Sequence, residues 1–286
     1  MAINYPSNRL TPRQLSLLGL KEHPFRSSAD PRFLYLSRNH HNVLERLLDI
    51  IEWREGLAVV EGHIGTGKTS LARRLYELAV QDKTAAPVYI HTSAFSTQMD
   101  CARDISAAFG IRGRRSYIDQ LRGLESHLVQ LRKTGLNAVV ILDDAQFMEP
   151  DSLDAVQNML NFDISEKLIQ IILFGQQEIK ELFVQKPAVH GRVVHWQTLG
   201  PLPFVEMVGL INFRLTVAGR PEPMFSEAAL EQLYAFSKGV PRPLVVLCGV
   251  VLRLLANSRA NIADINEVDE AILIYSQRPG QNNDED

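Results

Sequence analysis

The sequence predicts an α/β fold of the phosphate-loop kind: a five-stranded parallel sheet sandwiched by helices, followed by a small all-helical domain. Three observations predict it. Short runs rich in Val, Ile and Leu alternate with amphipathic helix-length segments as far as Trp196. The first of these runs leads through Gly62-His63-Ile64-Gly65-Thr66-Gly67-Lys68-Thr69 into a helical pattern. Beyond Pro201 and Pro203 the pattern is helical only.

Taken in order, residues 1–18 are polar, carry Pro6 and Pro12, and are expected as a flexible arm. Residues 19–36 read as an extended, aromatic-bearing stretch expected to pack near the nucleotide. Ser37 could cap the next helix, whose Val43, Leu44, Leu47, Leu48 and Ile51 recur at helical spacing. Strands are predicted over residues 57–60, 87–91, 138–142, 168–174 and 193–196. Between them, residues 104–109 are predicted to lie within a helix that Gly110 ends, and helices are predicted over 117–133 and 153–160, then over 204–217, 226–236, 242–256 and 268–275. Residues 19–200 are thus expected as the nucleotide-binding core, 201–276 as a helical lid, and 277–286 as an acidic flexible tail.

The chemistry follows from spacing. In G-x-x-x-x-G-K-[ST] the glycines let the backbone curl until its N–H groups converge on phosphates, and the helix that opens at Lys68, Thr69 and Ser70 adds positive potential. Lys68 would reach the β- and γ-phosphates of ATP, and the Thr69 hydroxyl would hold Mg²⁺. Residues 138–142 form an uninterrupted apolar run ending in Asp143 and Asp144, the Walker B arrangement, in which Asp143 would orient the magnesium hydration shell.

Composition excludes some classes. A net charge of −3 does not announce a nucleic-acid binder by whole-molecule field. Cys101 and Cys248 lie far apart without metal-ligand spacing, and fit buried thiols in a reduced cytoplasmic setting. The longest apolar run, 244–252, is too short for a membrane span, and residues 1–13 lack the apolar centre of a secretory signal. His40 and His41 are adjacent, without the spacing of metal ligands. Trp53 and Trp196 are expected in the core or at an interface.

Several blocks together resemble the AAA+ ATPases of the ExeA group, whose relatives include the transposon target-selection ATPases of the TniB and TnsC type. The blocks are Gly19-Leu20-Lys21-Glu22 with Pro24-Phe25, the run from Asp30 to Leu36, the phosphate loop, Leu142-Asp143-Asp144-Ala145-Gln146, Phe174-Gly175-Gln176-Gln177-Glu178 and Gly239-Val240-Pro241-Arg242. The resemblance implies strand order 5-1-4-3-2 and subunits that complete one another's sites in a ring or helical filament. It implies that Gln176 orients the attacking water, that Arg242 touches the γ-phosphate, and that Arg192 is an arginine finger given to a neighbour. Such ATPases usually carry glutamate after the magnesium aspartate. Asp144 is one methylene shorter, so slow hydrolysis is expected.

Two readings of the biology follow. In the first, the chain is an ATP-dependent oligomeric switch that assembles on double-stranded DNA, contacted through Arg112, Arg114 and Arg115, with a transposase as protein partner. In the second it energises a secretion or pilus assembly through protein contacts; the sequence shows neither the membrane helix nor the wall-binding region of ExeA, and that weakens this reading. A nucleotide-dependent scaffold that turns over too slowly to cycle is a third possibility.

Overall fold

The computed structural model describes residues 10–26, 30–163 and 166–277. In chain order its elements are α1 (Pro12–Leu17), α2 (Arg38–Trp53), β1 (Leu57–Gly62), α3 (Lys68–Gln81), β2 (Ala85–Ile90), α4 (Gln98–Ala108), α5 (Tyr117–Lys133), β3 (Asn137–Leu142), α6 (Pro150–Met159), β4 (Ile169–Gly175), α7 (Ile179–Val184), α8 (Pro187–His190), β5 (Val193–Leu199), α9 (Phe204–Val217), α10 (Glu227–Ser237), α11 (Pro241–Ser258) and α12 (Ile265–Ser276). Two compact units result: Arg38–Gly200, and Met1–Ser37 together with Pro201–Asp286.

In the first unit every strand pairing is parallel, in the order β2-β3-β4-β1-β5, the expected order read from the opposite edge. All residues of β1, β3 and β4 are buried, as continuous aliphatic runs require when helices cover both faces. The registers Ile90↔Leu142, Leu142↔Leu173 and Glu61↔Gly175 align the carboxyl ends of β2, β3, β4 and β1 along one edge. Ligands of open α/β sheets bind along that edge. β5 runs on to Leu199, past the expected end at Trp196, because pairing with β1 holds its polar second half in register. α4 begins at Gln98, where the Thr97 hydroxyl accepts the Asp100 N–H, and so contains the segment expected as helix.

The second unit corrects the expectation of a flexible arm. Part of the presumed arm is ordered as α1: Thr11 and Gln14 form a capping box, Pro12 opens the first turn, and Leu10 and Leu18 are buried. Residues 1–9 of that arm, and 278–286 of the acidic tail, lie outside the described residues. The aromatic stretch after Gly19 packs on α9: Lys21 N–H donates to the Ala218 carbonyl (2.8 Å), and Phe25 and Phe33 share a core with Met207, Leu210 and Ile211. Against expectation, α11 is long and apolar enough to cross a membrane by length and composition, because the helix continues beyond residue 252 to Ser258. Its residues from Leu244 to Ala256 largely supply the centre of this unit's core. Trp53, expected in core or interface, is 69% exposed at the end of α2 and so is not core.

Gly239, before α11, has φ +78, and a Cβ there would lie 2.0 Å from the Leu202 carbonyl oxygen. The Leu202 N–H in turn donates to the Gly239 carbonyl at 2.9 Å, so this junction cannot open without losing a hydrogen bond. Gly239→Ala combines left-handed strain with overpacking against backbone and is expected to cost roughly 2–5 kcal/mol. Thermal unfolding should fall by about 5–15 °C; an unchanged melting temperature would show that the junction relaxes freely.

Candidate nucleotide-binding site

β1 delivers Gly62 to the sheet edge, where a side chain is impossible: a Cβ would lie 2.5 Å from the Leu199 carbonyl oxygen. The loop then turns through Gly65 (φ +84) and Gly67 (φ +101), conformations that favour glycine. Thr66 is fully buried, and its hydroxyl donates to the His63 carbonyl (2.9 Å). Lys68, 8% exposed, opens α3 and folds its ammonium back onto the carbonyls of Gly62 (2.6 Å) and His63 (2.9 Å). The cap of α3 is Gly67, without a side-chain hydrogen bond, and no acid stands in the first turn. The helix start therefore keeps its positive potential, as an anion site needs. His63, Ile64 and Thr69 are exposed, and Gly65 and Ser70 half-buried.

On the same sheet edge, β3 ends at Leu142 and is followed by Asp143, 2% exposed. Its Oδ2 accepts the Tyr89 hydroxyl (2.7 Å), and its Oδ1 accepts the Asp144 N–H (3.0 Å). Burial, then the charge of Asp143 and its hydrogen bond, push the Tyr89 phenol well above its ordinary range, so Tyr89 stays a donor. Asp144 adopts left-handed backbone (φ 52). The Gln146 amide donates to Asp144 Oδ1 (3.2 Å), and the Gln176 N–H, just past β4, donates to Gln146 Oε1 (3.0 Å). The candidate general base Asp144 and the candidate water-orienting Gln176 are thus linked through one glutamine.

Tyr89, Gln146 and His40 were not among the sequence candidates. Gln146 stood in the quoted motif without a role. In the sequence His40 offers only its pairing with His41, without metal-ligand spacing; in the structure it is buried on α2 with Nε2 3.1 Å from the Thr66 carbonyl oxygen. Among the described residues no group of three or more His, Cys, Asp or Glu could hold a metal ion. A phosphate-bound Mg²⁺ needs only one or two protein oxygens besides water and phosphate, and the Thr69 hydroxyl and Asp143 carboxylate are hard donors of the right kind.

The arginines lie elsewhere. Arg192 directly precedes β5, whose Val193 pairs with Leu57 at the start of β1, whereas Leu199 pairs with Gly62 at the loop. Six strand residues, about 20 Å, separate it from its own phosphate loop. Its guanidinium donates to Asn161 Oδ1 (2.5 Å). Arg242 is exposed in the first turn of α11, in the helical unit. Arg112, Arg114 and Arg115 are exposed between α4 and α5. Arg114 is tied down: its N–H donates to Gln120 Oε1 (2.6 Å), its carbonyl accepts from Arg103 (3.0 Å), and its guanidinium covers Gly123. Arg112 and Arg115 make no hydrogen bond or ion pair among the described residues, so their charges are available to solvent.

Residues 51–183 match the family described as AAA domain. General secretion pathway protein A of Aeromonas hydrophila is 30% identical over 239 residues, which cover 80% of this chain and 42% of that relative. The chain thus spans less than half the length of that protein. Among solved structures, the Aeropyrum pernix ORC2 protein in its ADPNP-ADP complexes superposes with a TM-score of 0.64 at 16% identity, covering 88% of this chain and 71% of that one. The Aeropyrum pernix ORC1 protein in complex with DNA gives 0.62 at 17% identity, covering 92% and 70%. The matched domain, the sheet order and the sequence likeness together show a P-loop AAA+ fold, with a sequence similar to the ExeA group.

Proposed function

We propose that this protein binds ATP with Mg²⁺, hydrolyses it, and uses the cycle to switch an oligomer that assembles on double-stranded DNA, in the manner of transposition target-selection regulators of the TniB and TnsC type. The observation that carries the ATPase reading is the meeting, at one sheet edge, of the Lys68 loop with the buried Asp143 and the linked pair Asp144 and Gln176. Residues 62–67 would cradle the phosphates with backbone N–H groups, and Lys68 and the start of α3 through Ser70 would add charge. Thr69 and Asp143 would hold Mg²⁺, which when bound neutralises charge on the phosphates. Asp144 would take the proton of the attacking water, and Gln176 would orient that water. Arg242 would contact the γ-phosphate. The distance of Arg192 from its own loop favours service to a neighbouring copy, in a ring or filament.

For DNA, the support is the unpaired Arg112 and Arg115 on an exposed loop, together with the DNA complex named for one structural neighbour, the Aeropyrum pernix ORC1 protein. Such contacts would bind phosphate without reading sequence. A second reading, an ATPase acting on a secretion assembly in the cytoplasm, is favoured by the likeness to general secretion pathway protein A.

The test is ATP turnover and ATP-dependent assembly with and without double-stranded DNA across a salt series, beside an Arg112→Ala/Arg115→Ala variant that spares the structural Arg114. DNA should stimulate at low salt, and the variant should shallow the logarithmic salt slope by up to about 2. If DNA changes neither turnover nor assembly at low salt, the DNA reading is lost and the protein-directed one stands. Turnover too slow to cycle under every condition would leave the scaffold reading that the short Asp144 permits.

A further inference from the structure

The phosphate loop is held from outside by a residue that belongs to no phosphate-binding motif. His40 is 4% exposed on α2, and its Nε2 lies 3.1 Å from the Thr66 carbonyl oxygen. A carbonyl has no proton to give, so the ring nitrogen is the donor. The Thr66–Gly67 peptide is trans, as are all peptides among the described residues. In a trans peptide the C=O and the following N–H point in opposite directions. Fixing the Thr66 carbonyl toward α2 therefore fixes the Gly67 N–H away from α2.

Two further observations bear on that N–H. It has no acceptor among the described residues, although the loop around it is well bonded: the Leu71 N–H reaches the Gly67 carbonyl at 2.9 Å, and the Thr66 hydroxyl is committed to His63. And Gly67 has φ +101 with His40 filling the space beside it, since a Cβ at Gly67 would lie 2.9 Å from the ring nitrogen. The peptide is held on one side by the ring and is left with an oriented, unsatisfied donor on the other. An amide in that state is the element from which anion-binding nests are made.

We infer that His40 is a positioning residue for nucleotide binding: by holding the Thr66 carbonyl it aims the Gly67 N–H at a phosphate of the bound nucleotide. The inference rests on the nucleotide reading given above. It makes α2 part of the binding apparatus, and it accounts for a buried histidine that has no place in metal binding.

The experiment is calorimetric titration of ADP and of ATP, each with Mg²⁺, into the native protein, His40→Ala and His40→Gln, with the melting temperature of each measured without nucleotide. Losing one aimed N–H to a charged group weakens binding by about 10- to 100-fold. His40→Ala should show that loss for both nucleotides, and His40→Gln, whose amide can donate to the same carbonyl, should recover most of it; removing the buried ring lowers nucleotide-free melting in the alanine variant, and that melting temperature establishes that each protein is folded at the temperature of the titration. Native affinity in His40→Ala overturns the inference. So does a glutamine variant as weak as alanine, with an equal drop in nucleotide-free stability, since the ring would then act by filling space. Failure of the native protein to bind either nucleotide is a different result: it removes the nucleotide reading itself.

Discussion

Lys68→Ala should bring ATP turnover to background and weaken ATP binding by about 100-fold or more. The lysine is 8% exposed, and its ammonium is the cation that the loop itself holds, on the carbonyls of Gly62 and His63. A phosphate entering the loop exchanges those neutral acceptors for anionic ones at little reorganisation, which is why the gain is large in a site where solvent is scarce. Folding should survive, because His63 is exposed and its freed carbonyl can take water. The readout is the shift in melting temperature on adding ATP. In the native protein ligand binding adds stability of about 2.7 kcal/mol at a ligand concentration of 100 Kd. The variant should lose that shift while melting near the native temperature without nucleotide; a retained shift would refute the assignment of Lys68 as the principal phosphate contact.

The parts of this molecule that were legible in the sequence are those whose physics is local or periodic. Residues 138–142 can only be a strand covered on both faces, and the loop from Gly62 to Thr69 needs glycines where the backbone turns left-handed. α5 and α9 begin and end where their apolar periods predict. Misses arose where a tertiary partner decides. The polar end of β5, His195 to Thr198, reads as loop until β1 is set beside it. α1 has too few residues for a period to register, and only its capping box, Thr11 with Gln14, could have disclosed it. His40 and Tyr89 carry no signature of their role in the chain, because each acts on an atom 26 or 54 residues away. The site was therefore readable in the groups that would touch phosphate and metal, and unreadable in those that hold such groups in place.

Arg192→Ala should lower turnover about 1,000-fold while leaving ATP affinity near native. Those two effects separate only if the guanidinium acts on a site that its own subunit does not contain, and the strand register argues for that: Arg192 stands at the start of β5, opposite the end that meets Gly62. The residue is half-buried and bonded to Asn161, a single polar contact at the surface, so the substitution should cost little stability. The decisive form of the experiment mixes two inactive proteins. Arg192→Ala keeps an intact phosphate loop and lacks the finger; Lys68→Ala lacks the loop lysine and keeps the finger. At an interface where the first supplies the nucleotide site and the second the arginine, every catalytic group is native. With random head-to-tail assembly at equal concentrations, about a quarter of interfaces are of this kind, and turnover should recover to about that fraction of the native rate. Recovery that grows with total protein concentration would establish a shared site. An equimolar mixture as inactive as its components, under conditions where the native protein assembles, would mean that Arg192 acts within its own subunit or not on the nucleotide at all.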